Sequence, residues 1–75
     1  MATQEEVKTR MLACLEIDES DYTEEGTIAE FFNDEELEEA KEKLGDEFDI
    51  NVESMNEETT LSEMVEVLTA HINAQ

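Results

Sequence analysis

Three times along its 75 residues the chain returns apolar side chains at helical spacing, and that recurrence restricts the fold more than any other feature. Leu61, Met64, Val65, Leu68 and Ile72 fall at i, i+3, i+4, i+7 and i+11, one face of a helix, with Val67 off the stripe at the edge of the core. Leu37, Ala40, Leu44 and Phe48 repeat at intervals of 3, 4 and 4. Val7, Met11, Cys14 and Leu15, widened by Leu12, give a third stripe between about Thr3 and Ile17. There is no proline and no useful run of strand-like alternation, so the chain reads as all-α. At 8.6 kDa it holds a single domain, residues 1–75, with room for one core.

The ends of these stripes carry start signals. Thr3 with Glu6 has capping-box spacing; Thr59 or Thr60 caps the last helix, and Thr60 with Glu63 repeats that spacing. Asn33 or Asp34 caps the middle helix, where Asp34, Glu35 and Glu36 place negative charge at the positive end of the helix dipole. Between the first two helices, from Asp18 to Asn33, the periodicity lapses. That long connection is anchored by Ile28, Phe31 and Phe32, with Gly26 at a turn. Ile50, Val52 and Met55 suggest a single short helical turn before the last helix. The expected architecture is therefore a four-helix bundle of three main helices and one short one. Gly45 weakens the last turn of the middle helix by about 1 kcal/mol relative to Ala.

Charge then limits the partners. Four Lys and Arg stand against 23 Asp and Glu, a net charge of −19. A surface of that sign repels nucleic-acid phosphates and anionic membranes and suits basic protein patches. A monomer is the expectation. On the middle helix the outer face carries Glu35, Glu38, Glu39, Glu42 and Asp46, tempered by Glu38–Lys41 and Glu39–Lys43 pairs worth about 0.2–0.5 kcal/mol each. The first residues lack a basic region and an apolar run, so a cytoplasmic protein without a secretory signal is expected.

Few residues offer chemistry. Carboxylates are so numerous that no acid–base pair stands out, and a solvated acidic face is the default reading. Cys14 lies on an apolar stripe and reads as core packing, while the lone His71 sits near the C-terminus of the last helix, where its cationic form suits the dipole. No metal site is expected. An EF-hand register starting at Asp21 places Thr23, Glu25 and Gly26 suitably, but its twelfth position is Phe32 where a bidentate Glu is required. A non-catalytic protein is the expectation.

Taken together, Glu5-Glu6-Val7-Lys8, Asp46-Glu47-Phe48-Asp49 with Val52, and Thr59-Thr60-Leu61 with the helix through Ile72 resemble an acyl carrier protein over nearly the full length. The resemblance implies a small helical bundle in fatty acid or polyketide biosynthesis whose second helix opens on Asp-Ser-Leu. In that family the serine carries phosphopantetheine, acidic residues of the second helix dock basic partner enzymes, and the interior accepts an acyl chain. Here the serine position holds Asp34, or Glu36 if Leu37 is taken as the motif leucine. The serines of the chain are Ser20, Ser54 and Ser62. A carboxylate at that position would form a reactive acyl phosphate rather than a lasting phosphodiester, so no phosphopantetheine is expected there. The resemblance assigns partner binding to Glu36, Glu39 and Asp46, and a possible acyl cleft to Leu37, Ala40, Leu44, Phe48, Leu61, Val65 and Leu68. Two alternatives stand beside a docking protein without the arm. One is a working carrier attached through Ser20 or Ser54; the other is an acidic cation-binding module.

Overall fold

The three apolar stripes become three α-helices in the computed structural model, which describes residues 1–52 and 55–74. They are α1 (Gln4–Leu15), α2 (Asp34–Phe48) and α3 (Leu61–Asn73). Two short 3-10 turns, Glu19–Asp21 and Ile28–Glu30, punctuate the long first connection. No strand forms among the described residues; one isolated antiparallel bridge joins Thr27 to Thr60. The short turn expected between Ile50 and Met55 spans Glu53 and Ser54, which lie outside the described residues. At its margin the Met55 N–H donates to the Val52 carbonyl at 2.9 Å.

Each helix begins where a side chain can occupy its first free amides. The Thr3 hydroxyl accepts from the Glu6 N–H at 3.2 Å, and the Thr60 hydroxyl from the Glu63 N–H at 3.1 Å. Asn33 builds the full reciprocal box: its Oδ1 accepts from the Glu36 N–H at 2.8 Å while Glu36 Oε1 accepts from the Asn33 N–H at 3.2 Å. α1 stops at Leu15, earlier than the expected Ile17, because Glu16 turns left-handed at φ 59°. The Ile17 N–H then reaches back to the Leu12 carbonyl and the Glu16 N–H to that of Ala13, which satisfies the last carbonyls in a Schellman arrangement.

α2 runs unbroken through Gly45 and ends at Asp49, also left-handed at φ 52°. Gly45 suits a close approach: a Cβ there would stand 3.2 Å from the Ile50 carbonyl oxygen, and Gly45 itself accepts the Ile50 N–H. Helix propensity is thus outweighed by the chain folding back on its own last turn.

α1 is the central element and packs along both α2 and α3, whereas α2 and α3 approach each other only weakly. Each helix drives its stripe inward: Val7, Met11, Leu12 and Leu15; then Leu37, Ala40, Leu44 and Phe48; then Leu61, Met64, Val65 and Leu68. Ile28, Val52 and Met55, from the connections, are buried among them. Cys14, half-buried, packs against this core, while Val67 is 50 % exposed.

Backbone hydrogen bonds hold the long connection in place. Ile28 and Ala29 donate to the carbonyls of Thr59 and Glu57, and Leu61 donates to that of Gly26. Gly26 is buried in this seam, where a Cβ would fall 2.5 Å from the Thr23 hydroxyl oxygen. Chain ends are joined too, since the Asn73 amide side chain accepts from the Ala2 N–H at 2.9 Å and donates to its carbonyl at 3.1 Å.

Candidate functional site

The outer face of α2 is the most distinctive surface. Eight of its fifteen residues are carboxylates and two are lysines, Lys41 and Lys43. Glu35, Glu39, Glu42 and Asp46 follow one another at i, i+4, i+7 and i+11, so they share a face, and all four are exposed. Glu39 and Asp46 are two turns apart, about 10.5 Å along the axis. Leu37, Ala40, Leu44 and Phe48 bind the opposite face to the core and thereby fix which way this acidic line points.

Glu36 does not belong to that line. Its carboxylate closes the cap at Asn33 and lies toward α1, where Glu36 and Glu39 border a cleft of about 140 Å³ with Leu15, Phe32 and Ala40. Asp46 instead borders an open groove of about 490 Å³ with Glu42, Gly45, Ile50 and Val52. The three expected partner-binding residues thus divide between two flanks of one helix, with Glu39 the residue that the acidic line and the α1 cleft share. Asp34, which with Glu36 is one of the two residues that the resemblance sets against the motif serine, is the first residue of α2 and is exposed.

The seven residues of the expected acyl cleft, Leu37, Ala40, Leu44, Phe48, Leu61, Val65 and Leu68, are all buried, with exposures from 0 to 8 %. They are packed as core. Ala40 reaches the cleft beside α1, and Val65 borders a separate groove beside Lys8 and Tyr22. Of the alternative attachment residues, Ser20 is exposed in the first 3-10 turn, where its hydroxyl donates to Asp18 Oδ1 at 3.0 Å; Ser54 lies outside the described residues. Asp18 also accepts the Ser20 N–H, and these two hydrogen bonds hold its carboxyl below the usual range.

Each of the four basic side chains has a partner within the chain. Lys8 lies 4.7 Å from the Tyr22 ring centroid. Arg10 lies 4.6 Å from that of Phe48 and 3.3 Å from Glu47 Oε1. Lys41 approaches Glu38 at 3.8 Å, as the spacing predicts. Lys43 differs from expectation: it reaches Glu16 across the α1–α2 seam at 3.9 Å rather than Glu39 on its own helix. Glu16, the left-handed residue that ends α1, is the carboxylate that meets Lys43 of α2.

Burial, then the nearby Glu47 charge, push the Cys14 thiol above its ordinary pKa, with Lys43 opposing, so the neutral thiol is favoured. His71 is half-buried and its Nε2 lies 2.9 Å from the Asp49 carbonyl oxygen, which requires the proton on Nε2 and ties α3 to the end of α2. Among the described residues, no group of three or more His, Cys, Asp or Glu side chains is arranged to hold a metal ion. Among them, too, no helix is long and apolar enough to cross a membrane.

Phe31 and Phe32, expected as anchors of the first connection, do pack against the core but stay partly exposed at the entrance to α2. The signal available was their position immediately before the Asn33 cap, which leaves them outside any helical stripe. Comparisons with protein-family models, with curated proteins and with solved structures found no match.

Proposed function

We propose that this chain is an acyl-carrier-like helical bundle that carries no phosphopantetheine at the usual position and works by docking a basic protein partner along the outer face of α2. The observation that carries this reading is the exposed line Glu35, Glu39, Glu42 and Asp46, in a chain whose four basic side chains are all engaged elsewhere. Carboxylates aligned in this way attract Lys and Arg, speed encounter at low salt and fix the orientation of a partner. Asp34, or Glu36 in the alternative register, stands where the family resemblance expects a serine, and a carboxylate there would give a labile anhydride in place of a phosphodiester. The protein is thus read as a non-catalytic binding member of a lipid or polyketide pathway, in the cytoplasm.

Two measurements test this. Intact mass after incubation with coenzyme A and a phosphopantetheinyl transferase should be unchanged; a gain localised to any residue would restore a carrier role. A Lys-rich peptide should shift the amides of α2 at low salt, with affinity falling steeply as salt rises. Equal shifts on all faces of the molecule would leave the acidic line without a docking role.

A further inference from the structure

We infer that the groove between the end of α1 and the start of α2 seats an apolar side chain from a cationic, amphipathic segment of a protein partner. This rests on the docking reading above and adds to it a second contact of different chemistry, on the α1 flank of α2.

The groove is continuous. The cleft of about 140 Å³ and a neighbouring one of about 390 Å³ share Leu15, Glu16, Phe32 and Glu36. Leu15, Ile17, Phe31, Phe32 and Ala40 supply its apolar side chains, with most of the exposed apolar surface from Ile17 and the two phenylalanines, inside a lining that is otherwise polar. The two phenylalanines are fixed there by the backbone, since both the Phe31 and the Phe32 N–H donate to the Ile28 carbonyl at 3.0 Å, and α2 starts directly afterwards. They pack against the core on one side and leave ring surface uncovered on the other.

The rim selects the occupant. Glu16, Asp18, Asp21, Glu36 and Glu39 surround the floor, and the single cation among the lining residues, Lys43, reaches across to Glu16. Anionic lipid and nucleic acid are repelled, and a second copy would bring a further −19 charges to the seam. A peptide segment with one apolar anchor and flanking Lys or Arg fits both floor and rim, because the anchor covers the phenylalanines while the cations meet the carboxylates or the ring faces. The chain already uses that combination internally, where Arg10 lies over Phe48 beside Glu47.

The test titrates the isotopically labelled full chain with a synthetic helix that has Leu on one face and Lys on the other, and with a Leu→Ser analogue of equal charge. The Lys/Leu helix should move the amides of Leu15, Ile17, Phe32 and Ala40, and the Ser analogue should bind about tenfold more weakly. Phe32→Ala should weaken the Lys/Leu helix by about tenfold while the amides of Glu39, Glu42 and Asp46 still respond. Since Phe32 also supports the core, Asp21→Lys is the control at an exposed rim position; it should weaken binding about threefold at low salt without changing the melting temperature. If both peptides bind equally and move only the outer face of α2, the groove is overturned and the docking reading stands. If neither peptide moves any amide, both readings fall. Self-association of the free chain through the same amides would assign the groove to a second copy and overturn the proposal.

Discussion

α2 and α3 bury stripes of similar size yet present opposite exteriors. α3 hides Leu61, Met64, Val65 and Leu68 and carries two carboxylates among its thirteen residues, whereas α2 hides Leu37, Ala40, Leu44 and Phe48 and carries eight among fifteen. Neither helix needs its outer face to stay folded. In α2 that face works against folding, because like charges at i,i+4 repel by a few tenths of a kcal/mol per pair. The difference separates what holds a helix from what a helix displays, and the display on α2 is the feature that calls for a functional explanation.

The largest effects should be alike in the two helices. Leu44→Ala and Leu68→Ala each empty a fully buried position, and each should cost about 2–5 kcal/mol in denaturant unfolding. A fold of this length has only about 4–11 kcal/mol of stability, so either variant should be close to unfolding. A mild Leu44→Ala beside a severe Leu68→Ala would mean that α2 is held by something other than its stripe.

Cap removal should distinguish them. Asn33→Ala breaks a reciprocal pair of hydrogen bonds and should cost about 1.5 kcal/mol, while Thr60→Ala removes one and should cost about 1 kcal/mol. Thermal melts of the two variants check the order.

Neutralisation should have the opposite sign. Glu39→Gln, Glu42→Gln and Asp46→Asn together should raise stability by about 1 kcal/mol, which is about 4–8 °C in Tm for a domain of this size. Added salt should stabilise the parent chain and do less for this variant, since ions screen the exposed repulsion over about 8 Å at physiological strength. Glu66→Gln on α3 should stay within about 0.5 kcal/mol of the parent. Salt-independent melting of both chains would show the acids of α2 to be neutral to folding. The smallest effect belongs to Gly45→Ala, within about 0.5 kcal/mol, as the gain in helix propensity meets the nearby Ile50 carbonyl.

Much of this was readable from the chain itself. The stripes and the cap at Thr3 are local patterns, and the helices form where those patterns lie, while the structure chooses Asn33 over Asp34 and Thr60 over Thr59 as the other two caps. The end of α1 was not readable, because a left-handed glutamate at position 16 has no sequence mark comparable to glycine. The Lys43–Glu16 approach was not readable either, and the spacing pointed to Glu39 instead. The acidic residues of α2 could be named in advance, but their division between two flanks depends on what packs beside the helix.

The sequence by itself determined three amphipathic helices, to within a residue where they start, and a surface of strong negative charge, since periodicity, capping and charge are properties of neighbouring residues. Only the tertiary structure decided that Phe31 and Phe32 stay partly uncovered, that the segment around Ile28 pairs with the 57–59 backbone, and that α1 is the helix that packs along both others. Those outcomes follow from contacts between segments distant along the chain, where burial and backbone pairing compete for the same space.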